Sequence, residues 1–367
     1  MTILKTSIGF LFGLIISMFG LHGTATPTPV QSIHAAVFQP EAQMLMSATA
    51  PTEALQRPER AAASTSKNTP LPYTYRPNIC NANTKSIPHL QCLSTYYQNL
   101  VGTLGVDVAF SDLKKRYLGD NFVAVQCHPL THVIGRSAAK LYPTTAEGYE
   151  HGDSFCWSGY YHGILEGIVA RIGEKNLPTQ MNSICADIPG RAIYGFDYYN
   201  CVHGLGHGVM ELGGDNVFNS LHACDNLSGA WEKDSCYSGV FMENIIVFGR
   251  DGSSPDLKPA EPLYPCTAVE EQYKFQCYLG QTSFVLHQNG GNFAKTFDLC
   301  ANIESSFRSV CAQSIGRDAA NYANHDAQKT KVTCSLASAA EDTTNCTIGA
   351  VKEFISYSHA LDQPNVY

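Results

Sequence analysis

The stretch CDNLSGAWEKDSC, residues 224–236, places two cysteines 12 positions apart. Four other pairs repeat a gap of 11 or 12 positions, and one further pair has the same form with a longer loop of 16. The two remaining cysteines, Cys127 and Cys156, are then expected to form a disulfide with each other. The spacing predicts seven disulfides that use all 14 cysteines, a framework typical of oxidising compartments: Cys80–Cys92, Cys127–Cys156, Cys185–Cys201, Cys224–Cys236, Cys266–Cys277, Cys300–Cys311 and Cys334–Cys346.

The second cysteines of these pairs recur at a nearly constant period. Cys236 follows Cys201 by 35 residues, and Cys346 follows Cys311 by 35. A period of this size indicates that one supersecondary unit is repeated. Segments such as 268–277 have helical rather than strand patterns. We therefore expect an all-α fold, an array of about seven to eight αα-hairpins that forms an open solenoid or a closed αα toroid and is stapled by the seven disulfides.

A small residue stands three positions after the second cysteine of every pair. Small side chains at a fixed position allow neighbouring helix backbones to approach closely. We therefore expect the second helices to form a tightly packed inner layer of about eight helices, one of them beginning at Cys127. The small residues are Thr95, Gly159, Gly204, Gly239, Gly280, Ser314 and Gly349.

The first 79 residues differ in composition from the rest of the chain. Lys5 precedes an uncharged apolar run over 7–21, which predicts a cleaved signal peptide over 1–25, with an uncleaved anchor as the alternative. Residues 26–79 are rich in Pro, Ala, Ser and Thr, so we expect a disordered tether or pro-segment there. Residues 80–367 then form the repeat domain of an exported protein, periplasmic, extracellular or at the cell surface, with no membrane insertion after signal cleavage.

Composition narrows the class of partner. The net charge is −8 and Lys and Arg form no cluster, which argues against nucleic acid. The hydrophobic content of 44% excludes disorder over the whole length. A small molecule, a peptide or a glycan remains open as the partner.

One pattern, C-x2-G-x2-H-G-x2-E, occurs twice in identical register. It places His162 four residues before Glu166, and His207 four residues before Glu211, so each pair shares one face of a helix. His203 lies one turn before His207 and extends the second set. Imidazole and carboxylate groups on one face can bind one metal ion, or can act as a base and the group that orients it.

The helix expected at Cys127 supplies two more histidines. Pro129 is tolerated best in a first helical turn, so we expect His128 just before the helix and His132 one turn into it. His132 is the stronger candidate of the two. The mixture of imidazoles and carboxylates suits zinc, copper or iron rather than calcium or magnesium. The candidate metal ligands are His128, His132, His162, His203 and His207, and the candidate catalytic groups are Glu166 and Glu211.

Two families resemble the arrangement over residues 80–360. One bridge in each hairpin resembles the disulfide-locked Sel1-like repeat proteins, and His-Gly motifs on inner helices resemble the lanthionine-cyclase-like αα toroids. In the cyclases, a Cys, a Cys-His pair and zinc form the site. The nearest match here, Cys201-Val202-His203, has an inserted residue, and its cysteine fits the disulfide pattern. No catalytic residue is therefore transferred from either family.

Three functions are consistent with these patterns. In the first, the protein is an exported metalloenzyme, a hydrolase or oxygenase, in which the ion activates water or oxygen and a carboxylate transfers protons. In the second, it is a helical-repeat binding protein, and the repeated motif only orders the packing of the helices. In the third, it captures or delivers metal without turnover.

Later units lack the motif, because Met242 takes the place of the histidine after Cys236. A site confined to the central units predicts such a loss. Glu243 and His287 fall near the same face. They are candidates for groups that orient the ligands, although the simpler interpretation is that both are ordinary polar residues.

Overall fold

The computed structural model describes residues 73–82, 85–251 and 254–360. The secondary structure of these residues is helical and includes no strand, which confirms the expected all-α class. Two short 3-10 helices, Arg191–Ile193 and Ser305–Phe307, lie in loops. The α-helices are α1 (Ser86–Leu104), α2 (Val106–Gly119), α3 (Asn121–Val125), α4 (Cys127–Ala138), α5 (Thr145–Glu150), α6 (Gly159–Ile172), α7 (Leu177–Ile184), α8 (Phe196–Leu212), α9 (Val217–Cys224), α10 (Ala230–Asp251), α11 (Glu271–Gln288), α12 (Phe293–Ala301), α13 (Arg308–Tyr322), α14 (Ala327–Cys334) and α15 (Ala340–Ala360).

The helix expected over 268–277 begins later than its sequence pattern suggests. Helix α11 starts at Glu271, so residues 268–270 precede it. The reason is local, because Glu270 has an extended backbone conformation and occupies the N-cap position. An N-cap residue has non-helical backbone angles, and regular helical geometry begins at the residue after it.

Seven disulfides link these helices, and their pairs coincide with those expected from the spacing. Cys224, for example, ends the short helix α9 and bonds to Cys236 in the following long helix α10. The Cα–Cα distances of 5.4–5.9 Å lie in the usual range for disulfides. The bridges constrain the unfolded chain and so stabilise the folded one, and they fit a protein of an oxidising compartment.

The long helices pack against one another in chain order. Helix α1 contacts α4, which contacts α6, and the contacts continue to α8 and α10. The series then runs through α11, α13 and α15. Shorter helices pack beside it, as α9 does against α8 and α10. This order places α4, α6 and α8, which carry the candidate histidines, next to one another and next to α10.

Two glycine contacts let the helices that carry the histidines approach closely. A Cβ atom on Gly163 of α6 would lie 2.2 Å from the backbone oxygen of His132 in α4. A Cβ atom on Gly239 of α10 would lie 2.0 Å from the backbone oxygen of His203 in α8. These distances are too short for any Cβ, so the contacts require glycine. His132 and His203 therefore lie at two of the close contacts between helices.

Residues 1–72, which include the expected signal peptide and most of the expected tether, lie outside the described part of the chain. Residues 73–79, the described end of the expected tether, include two that contact the helices. Arg116 of α2 donates hydrogen bonds to the backbone oxygens of Pro77, over 3.1 Å, and of Arg76, over 2.5 Å. The described residues before Cys80 are thus attached to α2. No helix in the described ranges is long and apolar enough to cross a membrane.

The close contact of α8 with α10 predicts that Gly239→Ala destabilises the protein. The added Cβ meets the backbone of α8, which cannot give way as a flexible side chain would, so the free energy of unfolding should fall by about 1–3 kcal/mol or more. Gly102→Ala in α1 is the matched control, because its Cβ would have nothing within 4 Å. The measurement is denaturant unfolding followed by circular dichroism. Equal stability of the two variants would contradict the close contact.

Candidate metal centre

All five candidate histidines meet in one buried cluster, which we call the histidine cluster. His128 and His132 come from α4, His162 comes from α6, and His203 and His207 come from α8. Each of the five residues is 0–4% exposed. The ring centroids of neighbouring histidines lie 4.6–5.6 Å apart. Histidines on three helices are thus brought within reach of one another.

His128 and His132 form the first pair of the cluster. Nδ1 of His128 donates a hydrogen bond to the backbone oxygen of Cys156 over 2.8 Å. Nδ1 of His132 donates to Oε1 of Glu166 over 2.5 Å. A neutral imidazole with a protonated Nδ1 carries a lone pair on Nε2. The Nε2 atoms of the two rings face each other at 3.0 Å.

His203 and His207 form the second pair with the same arrangement. Nδ1 of His207 donates to Oε2 of Glu243 over 2.7 Å. Nδ1 of His203 lies 2.7 Å from Oγ of Ser238, and this hydroxyl donates its own proton to the backbone oxygen of Ser235. When Nδ1 of His203 carries the proton, the Ser238 hydroxyl accepts from it, and the hydroxyl of Tyr199 lies farther from the same nitrogen, at 3.2 Å. The Nε2 atoms of His203 and His207 lie 3.1 Å apart.

Burial favours the neutral form of four of the five rings. It is the largest cause that lowers the pKa of His128 and of His203 to about 3, and the neighbouring His132 lowers both further. Burial and the surrounding imidazoles also lower the pKa of His162 and of His207 well below the usual range. Both rings of the second pair are therefore uncharged at neutral pH. With its proton on Nδ1, each of these two rings turns a lone pair on Nε2 toward the other.

His162 differs from the other four histidines because its ring nitrogens have no hydrogen-bond partner. Both Nδ1 and Nε2 are buried and unpartnered among the described residues. The ring stacks on His207, with centroids 4.6 Å apart and planes inclined by 14°. Buried polar groups are nearly always hydrogen-bonded in native proteins. An imidazole held in this way indicates that another ligand completes its surroundings.

Glu166 is an ion-pair partner rather than a free carboxylate. It accepts from Nδ1 of His132 and from Nη1 of Arg136. Burial raises the pKa of Glu166, but His132 and Arg136 outweigh it and lower the pKa to about 2. A carboxylate held as an anion at neutral pH orients His132 through Nδ1. Carboxylates often hold metal-binding imidazoles in this way.

Glu211 is exposed near the end of α8, where its charge contributes to raising the pKa of Arg136. Glu166 has the same spacing after His162 but is buried, so the repeated spacing alone does not decide whether the carboxylate lies in the core. The carboxylate that contacts His207 is Glu243, from the neighbouring helix α10. Its interpretation as an ordinary polar residue is therefore wrong.

His128 also differs from its expected place. Helix α4 begins at Cys127, so His128 lies inside the first turn instead of before it. Pro129 is accommodated there, because the backbone nitrogens of a first turn have no partner within the helix. His128 and His132 are then one turn apart on a single face, which explains why their Nε2 atoms meet.

Helix α10 contributes a second group that the motif analysis did not assign to the site. Sδ of Met242 lies 3.3 Å from Nε2 of His203. Met242 occupies the histidine position of the repeated motif, so the sequence does mark this position. The replacement of histidine by methionine suggested, however, that the site is lost in this unit. His287 lies away from the cluster beside Phe248, and burial lowers its pKa.

The backbone before α6 has an unusual conformation that serves the first pair. Cys156, Trp157 and Ser158 have φ values of 58°, 56° and 58°, in the left-handed region. Each such residue costs about 1–2 kcal/mol relative to ordinary geometry. The disulfide of Cys156 with Cys127 and the full burial of Trp157 hold the segment in place. The carbonyl that results orients His128.

The ligand atoms of these residues satisfy the distances of a metal site. They form two groups of three histidines that share His162, and a third group of two histidines with Glu166 and Glu243, each with ligand atoms within 4.8 Å of one another. Two nitrogens bound to one ion at about 2.0–2.1 Å lie about 2.8–3.4 Å apart when the bond angle is about 90–110°. The Nε2–Nε2 distances of 3.0 and 3.1 Å fall in this range.

Comparison with protein-family models, with curated proteins and with solved structures finds no match for the chain. The histidine cluster and its surroundings are therefore the features that bear on function.

The hydrogen bonds predict one tautomer for three histidines. In protein stripped of metal by a chelator, His128, His203 and His207 should carry their proton on Nδ1 at pH 7.5. Long-range 1H–15N NMR spectra, assigned with single His→Ala variants, measure this directly. Exposed His222, whose side chain is 59% accessible, is the internal control and should show an exchanging mixture. A proton on Nε2 of either ring of the second pair would contradict the facing lone pairs.

Proposed function

We propose that the chain is an exported metal-binding protein whose histidine cluster holds a transition-metal ion through Nε2 atoms. One observation carries this proposal. In the second pair, the Nε2 atoms of His203 and His207 face each other at 3.1 Å inside the core, and with both protons on Nδ1 these atoms carry two facing lone pairs. Two such lone pairs repel unless a cation lies between them. The Nδ1 atoms are held by a hydroxyl and a carboxylate, as is usual for imidazoles that bind metal.

A shared proton is the alternative to a metal ion. It would make the cluster a hydrogen-bonded packing element and would favour a helical-repeat binding protein. In the second pair an added proton would charge one ring, and burial opposes this because the pKa values of His203 and His207 are lowered. Moving the proton of a neutral His203 from Nδ1 to Nε2 would leave Nδ1 facing the Ser238 oxygen over 2.7 Å, with only the Tyr199 hydroxyl, at 3.2 Å, to donate to it. Either arrangement would also leave both ring nitrogens of His162 without a partner. A metal ion accounts for both observations.

The available donors favour copper over the other metals that the sequence suggests. Imidazole suits zinc, copper and iron alike, whereas a thioether selects softer ions. Met242 lies 3.3 Å from Nε2 of His203. A nitrogen bound at about 2.0 Å and a sulfur bound at about 2.3 Å are separated by this distance when the bond angle is about 100°. Sulfur and nitrogen donors at such spacing suit copper best.

The burial of the cluster supports holding or delivering an ion more than turning over a substrate. The five histidines are 0–4% exposed, so a molecule larger than an ion has no direct approach to them. A catalytic metal site keeps an open position and a pocket for substrate. A cleft of about 510 Å³ does exist, but Asp107, Lys114 and Asp153 line it rather than the histidines. Metal capture is therefore the activity that we propose.

The remaining features fit the same proposal. The contacts of the long helices in chain order support an array of stacked αα-hairpins, open or closed. Seven disulfides support export to an oxidising compartment, with 1–25 as its signal peptide and 26–79 as a tether or pro-segment. In such a compartment this chain offers copper and zinc no free thiol as a ligand, because every cysteine is paired.

Metal binding is tested on the purified mature chain. After treatment with a chelator, it is offered Cu(II) or Zn(II), desalted and analysed for bound metal. The wild type should retain at least one equivalent, and His207→Ala should retain much less because the second pair loses one donor. His287→Ala, which changes a histidine outside the cluster, should bind like the wild type. Absence of retained metal from a folded wild type would refute the proposal.

The carboxylate that holds His207 gives a sharper test. Glu243→Gln should weaken metal binding about 10–100-fold, since removing a group that orients an imidazole ligand has this effect in other sites. Glu211→Gln should leave the affinity unchanged, because that side chain is exposed at the end of α8. Competition titration with a chelator of known affinity measures both. A larger effect from Glu211→Gln would restore the original motif assignment.

A further inference from the structure

His162 lies between the two histidine pairs. Its ring centroid is 5.6 and 5.3 Å from those of His128 and His132, and 5.1 and 4.6 Å from those of His203 and His207. The ligand atoms form one group of three with the first pair and another with the second. His162 is the member that both groups share. It is therefore placed to serve two ions rather than one.

The surroundings of His162 leave both of its ring nitrogens available to bind a metal ion. The other four histidines each have Nδ1 fixed by an oxygen atom, which leaves one donor atom free on each ring. Both nitrogens of His162 are buried without partners. Glu166, one turn along the same helix, is bonded to His132 and Arg136 instead. Nothing in the described cluster therefore assigns a proton to either nitrogen of His162.

Each pair satisfies the geometry of its own ion. The Nε2–Nε2 distances of 3.0 and 3.1 Å each match two ligands on one ion. Met242 lies near only the second of these positions, through its contact with His203. The two positions therefore differ in donor set. The first has nitrogen donors alone, and the second adds a thioether.

We propose that the histidine cluster holds two metal ions, one in each pair, and that the ring of His162 turns out of its stack on His207 so that each of its nitrogens binds one ion. This inference rests on the proposed metal-binding function. A neutral imidazole has a single N–H, so binding at both nitrogens releases that proton to solvent and leaves a bridging imidazolate. The proton takes no electrons with it, and neither ion changes oxidation state in the step.

The test uses Cu(II) as the probe, because an imidazolate bridge couples the spins of two Cu(II) ions. The folded full-length mature chain is saturated with Cu(II), desalted, and analysed for copper content and by spin-quantified electron paramagnetic resonance at low temperature. The wild type should hold two equivalents but lose most of the two-spin signal. His162→Ala should recover the signal of uncoupled ions for whatever copper it retains, and His287→Ala should behave like the wild type.

The outcomes separate this inference from the proposed function. One equivalent in the wild type would overturn the two-ion model while leaving metal binding intact. Two equivalents with the full signal of uncoupled spins would overturn the bridge. No copper, and no zinc in a parallel sample, would refute the proposed function itself. The wild-type measurement is decisive alone, so a variant that failed to fold would not leave the inference untested.

Discussion

Two nitrogen lone pairs that face each other across about 3 Å in a buried core repel, and the pair formed by His203 and His207 has this arrangement when both rings carry their proton on Nδ1. Burial lowers the pKa values of both rings, which keeps them uncharged. The position of each ring follows from the oxygen that holds its Nδ1 atom. A cation between the Nε2 atoms, as proposed, would remove the repulsion.

The scaffold is organised to hold these rings in place. Glycine contacts bring α6 against α4 and α10 against α8, at the backbone oxygens of His132 and His203. A disulfide and a buried tryptophan stabilise the left-handed segment that aims the Cys156 carbonyl at His128. Conformational cost concentrated beside a buried polar cluster, in which both ring nitrogens of His162 are unpartnered among the described residues, is typical of a functional site.

The sequence predicts the local features of the structure well. Paired cysteines lie close along the chain, and histidines four residues apart share a face of one helix, so both patterns follow from sequence spacing. Contacts between helices do not, because they depend on the rotation and axial offset of each helix. For that reason the sequence offers Glu243 only as a candidate orienting group and Met242 only as a sign that the motif is lost, while it assigns Glu211 to the site. Helix α4 starts at Cys127, one residue before His128, and a shift of this start by one or two residues decides whether His128 can face His132.

Anomalous diffraction from crystals of the metal-loaded protein tests the central claim most directly. Data collected on both sides of the copper or zinc absorption edge locate the ion without reference to the protein atoms. The account predicts a peak within about 2.0–2.1 Å of the Nε2 atoms of His203 and His207, the bond length usual for imidazole and such ions. Metal found only outside the histidine cluster, with those Nε2 atoms still facing each other, would contradict it.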